Sequence, residues 1–145
     1  ILEKESIESM LDHKFIVVTC GGGGIPVVRE DDGSYKGVSA VIDKDYASGI
    51  LAEAVYADFF IILTAVEQVA LNYGTPEQVN LSKMKVDEAE QYIKEGHFSR
   101  GSMLPKVEAA VKFVKGEPHR KALIASLEKA PLAIKGQSGT LIYNG

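Results

Sequence analysis

Along most of this chain, sequence patterns typical of strands alternate with patterns typical of helices. No other feature of the sequence constrains the fold as strongly. Residues 59–63 form an apolar run of strand length with β-branched residues at its centre, which predicts a buried strand. Residues 44–57, 86–95 and 107–114 instead place apolar residues at helical spacing. Alternating strands and helices form a mostly parallel sheet between helical layers. The sequence therefore predicts one α/β domain over residues 1–145, an αβα sandwich with a mostly parallel central sheet.

The remaining elements are predicted around these segments. Residues 1–12 have a helical pattern with Ile7, Met10 and Leu11 on one face, and residues 26–38 have the pattern of a hairpin with an Asp/Gly turn. The helix from residue 44 is expected to take Asp43 as its N-cap. Its inner face is predicted to consist of Ala47, Ile50, Leu51, Ala54 and Val55. Further strands are predicted at residues 15–20, 121–125 and 139–143, a short helix at 127–134, and a loop at 71–81.

Composition and charge exclude several classes of function. The net charge of −4, with no basic block to balance it, argues against a general nucleic-acid binder. No apolar run approaches the ~20 residues that a membrane span requires, so no membrane association is predicted. Cys20 is the only cysteine, which rules out an intrachain disulfide and a cysteine-based metal site. A single cysteine suits a reducing compartment, so a cytoplasmic location is expected.

Two predicted helices carry a lysine in their first turn, where the helix dipole disfavours a cation. These lysines are Lys44 and Lys106, and a bound anion between each lysine and the free N–H groups of the helix start would remove the conflict. The four glycines Gly21, Gly22, Gly23 and Gly24 follow an apolar run and let backbone N–H groups approach an anion. In a parallel sheet all these features fall at the carboxyl ends of strands, where ligands bind. The pattern predicts a polyphosphate site.

The predicted site suits phosphoryl transfer, which needs mainly positioning and positive charge around the moving group. Asp45, placed between the two lysines, would hold both ammonium groups in position. Two alternatives stay open on the residues alone: the lysines lie on the surface while Asp45 stabilises the helix dipole, or the glycines form a turn without a ligand. The dinucleotide fingerprint and the P-loop are both absent, because neither a helix nor Gly-Lys-Ser/Thr follows the glycines.

The sequence says less about the role of His97 and about metal binding than about the polyphosphate site. His97 follows a helix-ending glycine and has either a catalytic role or, as the favoured interpretation, the role of holding local structure. No His/Asp/Glu grouping has metal-site spacing. Any metal is therefore predicted to be Mg²⁺ carried by a nucleotide.

Several motifs, taken in order, resemble those of carbamate kinases, which have the amino-acid kinase fold. They are Gly21-Gly-Gly-Gly-Ile-Pro-Val27, Ala40-Val-Ile-Asp-Lys-Asp45, Ile61-Ile-Leu-Thr64, Asn72-Tyr-Gly74, Glu95-Gly-His-Phe98 and Gly101-Ser-Met-Leu-Pro-Lys-Val-Glu-Ala-Ala110. Related acetylglutamate and uridylate kinases share the fold but lack the Glu-Gly-His-Phe stretch. The resemblance covers only the carboxyl-terminal half of such an enzyme, so the fold is expected to be incomplete and residues 1–145 to be its nucleotide-binding half.

The resemblance implies a role for each matched residue. Lys44 and Lys106 would contact the phosphates, Asp45 would orient the lysines, and the glycines 21–24 would lie near the transferred group and carbamate. The adenosine pocket would be lined by Thr64, Asn72, Tyr73, Gly74 and Met103, with Lys106 also reaching the nucleotide. The implied reaction is reversible transfer between ATP and carbamate, making ATP from carbamoyl phosphate and ADP in arginine metabolism. A cytoplasmic homodimer and Mg²⁺ bound with the nucleotide are further implications.

Two residues depart from the family pattern, and two other functions stay open. Leu104 stands where glycine is usual and could crowd the phosphates, while Glu67 stands where aspartate is usual in the nucleotide loop. The alternatives are a non-catalytic nucleotide-binding or regulatory module of the same fold, and a sister kinase acting on an acylamino acid or a nucleotide. Half a sheet would also expose strand edges, so poor stability or self-association is expected.

Overall fold

The computed structural model describes residues 1–145. The helices are α1 (Lys4–Asp12), α2 (Lys44–Ala54), α3 (Val86–Glu95), α4 (Met103–Lys115) and α5 (Ala130–Ile134). The strands are β1 (Val27–Arg29), β2 (Tyr35–Gly37), β3 (Phe59–Thr64), β4 (Val69–Leu71), β5 (Val79–Leu81), β6 (Lys83–Lys85), β7 (Lys121–Ser126) and β8 (Thr140–Tyr143).

A four-stranded sheet with the order β3-β7-β8-β6 forms the centre of the fold. The pairs β3/β7 and β6/β8 are parallel, whereas β7 and β8 are antiparallel. Helices lie on both faces: α3 and α4 pack on the face that includes Ile124, while α5 covers the face that includes Leu123 and Ala125. Two hairpins, β1/β2 and β4/β5, stand outside this sheet. The predicted αβα sandwich with a mostly parallel sheet is therefore confirmed.

Helix α4 and strand β7 carry most of the core. The predicted inner face of α4 is buried throughout, and the ring of Phe113 on the same helix lies 5.5 Å from that of Phe60 on β3. Strand β7 is buried from its second residue onward, because helices cover both of its faces. This burial explains why the strand reads as a continuous apolar run rather than an alternating one.

The sequence predictions for β-structure were wrong in two places. Residues 15–20 are not a strand: their stretch 16–19 forms no backbone hydrogen bond in this chain, although its composition favours β-structure. Conversely, the predicted loop 71–81 ends in β5, which pairs with β4, and β6 was not predicted at all. A segment with strand propensity forms a strand only where it pairs with another strand. Strands of three residues are also too short to show an alternating hydrophobic pattern in the sequence.

The predicted helices are present, but two of their faces differ from expectation. On α1 only Ile7 is buried, while Met10 and Leu11 are exposed. On α2, Ile50 is exposed, and the buried positions are Asp45, Ala47 and Gly49. Helix α2 packs mainly against α4 through small side chains, so its larger apolar residues lie beside the contact rather than in it.

The chain leaves an apolar segment and a strand edge uncovered. Ile16 and Val18 are 97% and 96% exposed, and β3 pairs only with β7, so its other edge is free. Unpaired strand edges with apolar neighbours are templates for association.

We expect the 145-residue chain to associate in a concentration-dependent way, as measured by sedimentation. The double variant Ile16→Lys/Val18→Lys should remain monomeric to higher concentration, because charge on both residues disfavours pairing through this segment. Val41→Lys is the matched control, since Val41 is also apolar and 96% exposed but lies outside the segment. If Val41→Lys reduces association equally, exposed apolar surface in general, and not strand pairing, causes the association.

Candidate functional site

The first turns of α2 and α4 lie side by side and bring three predicted residues together. The Nζ atom of Lys106 lies 2.6 Å from Oδ2 of Asp45, and the Nζ atom of Lys44 lies 3.8 Å from the same oxygen. Asp43 caps α2 as predicted, since its Oδ1 accepts hydrogen bonds from the backbone N–H groups of Asp45 and Tyr46. The carboxylate between two lysines that the sequence predicted is therefore present.

The three side chains differ in burial, and this difference separates their roles. The side chains of Asp45 and Lys106 are 9% and 12% exposed, whereas that of Lys44 is 59% exposed. Lys106 is thus a buried cation held by a buried carboxylate, and Lys44 is free to move toward solvent. The two ammonium groups are balanced in formal charge by the carboxylates of Asp45 and of the N-cap Asp43. An anion would find favourable contacts at the exposed Lys44 and at the partial positive charge of the α4 start, which has no side-chain cap.

The glycine run packs directly against the start of α2. Gly23 has φ = 130°, and a Cβ atom on it would lie 2.0 Å from the carbonyl oxygen of Ile42 and 3.4 Å from the backbone nitrogen of Lys44. No other residue type fits there without moving the chain. The remaining three glycines face open space. The run therefore lies against the entry to α2 through Gly23, whose own N–H group donates to the carbonyl of Cys20 at 2.7 Å.

A cavity of about 490 Å³ opens beside the start of α4. It contains four of the residues predicted for an adenosine pocket, namely Thr64, Asn72, Tyr73 and Met103. Gly74 and Lys106 do not line it. The rest of the wall comes from the β3–β4 segment, from residues 95–99 and from Ser102. Met103 and Lys106 are three residues apart on α4, hence neighbours on one face of the helix.

His97 holds one wall of this cavity. Its Nδ1 lies 3.1 Å from Oδ1 of Asn72, its Nε2 lies 3.1 Å from Oε2 of Glu95, and its ring meets that of Tyr92 edge-on. Both ring nitrogens are therefore engaged with the protein. This geometry supports the structural interpretation of His97 over a catalytic one.

Sequence reasoning missed several residues around the site. Ser99, Ser102 and Gln68 line the cavity, and the hydroxyl of Tyr46 donates a hydrogen bond to Oε2 of Glu108 across the α2–α4 contact. This hydrogen bond raises the pKa of Tyr46 from 10.0 to about 12, with burial as a lesser cause. Only the relative placement of two helices reveals such a pair, and no local spacing in the sequence encodes it.

Comparison with known proteins places the chain in a family. A sequence profile of the Amino acid kinase family matches residues 1–126. This chain belongs to that family. Within it, carbamate kinase from Clostridium perfringens (strain 13 / Type A) is 53% identical over 142 residues, which cover 98% of this chain and 45% of the relative. The carbamate kinase-like protein YqeA of Escherichia coli (strain K12) is 51% identical over 98% of this chain and 46% of its own length.

A solved structure gives the same result for the fold. Carbamate kinase from Giardia lamblia bound to AMP-PNP matches with a TM-score of 0.94 and 38% identity, over 99% of this chain and 50% of that one. The resemblance to carbamate kinases and the amino-acid kinase fold are thereby confirmed. The chain spans about half the length of the carbamate kinases that it matches. The individual residue roles remain predictions.

The two departures from the family pattern have structural explanations. Leu104 packs against the main core and does not line the cavity. Glu67 forms an ion pair with Lys129 at 2.6 Å and accepts a hydrogen bond from Ser138. The hydrogen bond from Lys129 is the main cause of the lowered pKa of Glu67. Glu67 therefore fixes the β3–β4 segment from outside the cavity.

No group of three or more His, Cys, Asp or Glu side chains in this structure is arranged to hold a metal ion. No helix is both long enough and apolar enough to cross a membrane.

We expect Asp45 and Lys106 to be strongly coupled in stability. Asp45→Asn and Lys106→Met should each lower the free energy of unfolding by about 1–3 kcal/mol, because each removes the near partner of a largely buried charge. The double variant should lose clearly less than the sum, which a denaturation-based double-mutant cycle measures. Lys129→Met is the control, since it breaks an ion pair of equal length that is about half exposed, and its effect should be much smaller. Additive losses at Asp45 and Lys106 would contradict the coupling.

The Tyr46–Glu108 hydrogen bond should make stability fall at high pH. The folded-state pKa of Tyr46, about 12, lies above the unfolded value of 10.0, so the contribution is complete below about pH 10 and disappears as the pH rises to about 12. The stability difference between wild type and Tyr46→Phe should therefore shrink over this range. Phenolate absorbance should show one tyrosine that ionises late and is missing from the variant. A wild-type titration without this late component would contradict the prediction.

Proposed function

We propose that this chain is the nucleotide-binding half of a carbamate kinase, which transfers a phosphoryl group reversibly between ATP and carbamate. In the expected physiological direction, carbamoyl phosphate and ADP give ATP. The observation that carries the proposal is the cluster of Lys44, Asp45 and Lys106 at two adjacent helix starts, beside a cavity of nucleotide size. Identity of 51–53% to a carbamate kinase and a carbamate kinase-like protein over 98% of the chain supports it.

In this proposal the cavity binds the adenosine part of the nucleotide and the lysine cluster binds its phosphates. A volume of about 490 Å³ falls within the range of about 300–1,000 Å³ that is typical of small-molecule sites. Adenosine would occupy the cavity, with Thr64, Asn72, Tyr73 and Met103 as its lining and Gly74 shaping the loop. The phosphates would extend along the first turn of α4 toward Lys106. The Giardia lamblia relative, which has been solved with AMP-PNP, is consistent with a nucleotide in this fold.

The proposed chemistry relies on lysine ammonium groups held in position around the transferred phosphoryl group. Phosphoryl transfer proceeds through a transition state with negative charge on the equatorial oxygens, and fixed cations stabilise that charge. Asp45 holds the ammonium group of Lys106 in place before the substrate arrives, while the exposed Lys44 can follow the phosphate as it moves. The glycine backbone at 21–24 would approach the transferred group without obstruction from side chains. No nucleophilic side chain is required.

Mg²⁺ would enter as part of the nucleotide complex. The cluster holds one carboxylate, Asp45, whose Oδ2 atom is engaged by both lysines. Such a site lacks the oxygen ligands that Mg²⁺ needs for a protein-held position, so the phosphates would supply them. The ion would neutralise part of the phosphate charge. Assembly as a homodimer and a cytoplasmic location belong to the same proposal.

A second candidate is a nucleotide-binding or regulatory module without turnover. The observation in its favour is that the chain spans about half the length of its carbamate kinase relatives. The two candidates differ in turnover. ATP formation from ADP and carbamoyl phosphate by the natural polypeptide supports the kinase, whereas nucleotide binding without turnover supports the module. Turnover with acetylglutamyl phosphate or UMP instead would indicate a sister kinase.

Calorimetric titration of Mg-ADP into the folded chain tests the nucleotide site. Lys106→Ala should weaken binding by about 2–4 kcal/mol, because it removes a charge-assisted contact and leaves the Asp45 carboxylate near the phosphates with only the more distant Lys44 as a partner. Lys112→Ala is the matched control, since it removes an exposed lysine from the same helix and should leave the affinity unchanged. Equal binding by wild type and Lys106→Ala would remove Lys106 from the site. No binding by a folded wild-type chain would overturn the proposal that this chain forms the nucleotide site.

A further inference from the structure

We propose that Tyr46 and Glu108 form a positioning pair, which fixes α2 against α4 so that the lysine cluster is aligned with the phosphates. This inference rests on the proposed function, because it concerns the geometry of the same cluster. Neither residue lines the cavity, and neither is bonded to Lys44 or Lys106. Their effect on the ligand would therefore be indirect, through the two helices.

The contacts between α2 and α4 run in sequence order on both helices: residues further along α2 meet residues further along α4. Asp45 meets Lys106, Tyr46 meets Glu108, and a Cβ atom on Gly49 would lie 3.6 Å from the carbonyl oxygen of Ala109. The small residues Gly49 and Ala109 let the helix backbones approach closely. The two polar bonds lie in consecutive positions on α2 and within one turn on α4. Helices joined at two such points cannot rotate about either bond alone.

The surroundings of Glu108 show that its bond to Tyr46 is selective. Glu108 lines a shallow depression that it shares with three lysines, Lys94, Lys112 and Lys115. It nevertheless forms no ion pair with any of them, whereas Lys115 pairs with Glu90 at 2.6 Å. The carboxylate instead accepts the hydroxyl of Tyr46, whose ring packs against the main core. A rigid, half-buried phenol is a better geometric link between helices than a flexible exposed lysine.

A consequence for function follows from the position of the pair. Each phosphate-contacting lysine is on a different helix, so the distance between their ammonium groups depends on how α2 and α4 are placed. Displacements of about 1 Å can cost about 10²-fold in a catalytic step. Loss of the pair should thus weaken interactions with phosphate groups and spare interactions with the nucleoside, which binds in the cavity.

Titrations with two ligands test this inference in the full 145-residue chain. Mg-ADP carries the phosphates and adenosine lacks them, so their affinities report the cluster and the cavity separately. Tyr46→Phe and Glu108→Ala should each weaken Mg-ADP about three- to tenfold, the worth of one hydrogen bond, and leave adenosine affinity unchanged. Glu108→Gln should restore most of the Mg-ADP affinity, because its amide oxygen can still accept the bond from Tyr46. Tyr56→Phe removes a hydroxyl from an exposed tyrosine just beyond α2 and is the control.

Four results would overturn the inference. Unchanged Mg-ADP affinity in Tyr46→Phe would show that the pair does not position the cluster. Equal weakening of Mg-ADP and adenosine would indicate general loosening of the fold, as would a failure of Glu108→Gln to restore affinity. A wild-type chain that binds Mg-ADP no more tightly than adenosine would contradict the proposed phosphate role of the cluster itself. Only this last result counts against the proposed function, so the two failures are distinguishable.

Discussion

The ion pair between Asp45 and Lys106 is the interaction around which the site is arranged. It joins the first turns of two helices that begin at the same end of the molecule, where both dipoles are positive. Without a carboxylate at this point, a buried ammonium group would face two positive helix ends. With it, the helices can pack closely along Gly49 and Ala109, and the glycine run can rest against the entry to α2. Burial, packing and charge at this edge are thus mutually dependent.

Patterns formed by residues close together in the sequence predicted most of the fold. The period of α4, the N-cap at Asp43 and the apolar runs of β3 and β7 are properties of neighbouring residues, and each is found as predicted. Strand formation at residues 15–20 depends instead on pairing, and this segment pairs with no strand although one edge of β3 is free. The short strands β4, β5 and β6 depend on pairing in the same way. Propensity is a local property, whereas pairing is decided by the tertiary structure.

The same distinction applies to the site. Lys44, Asp45 and Lys106 could be found because a cation in a first helical turn conflicts with the helix dipole, and that conflict is visible in the sequence alone. The cavity residues Thr64, Asn72, Tyr73 and Met103 came from family resemblance and do line a common space. Tyr46 and Glu108 came from neither source, since 62 positions separate them in the sequence and only the docking of two helices joins them.

The carboxylate in the cluster also bears on how a reversible kinase can work. The two lysines without Asp45 would attract a polyphosphate more strongly, but equally before and after transfer, and uniform binding does not accelerate a reaction. Asp45 offsets one of the two lysine charges while it fixes the place of Lys106. Under the proposed function, the attraction for the nucleotide would then be moderate in both directions, and the fixed ammonium group would be aimed at the charge of the transition state. Placement of charge, more than its amount, is what this part of the fold supplies.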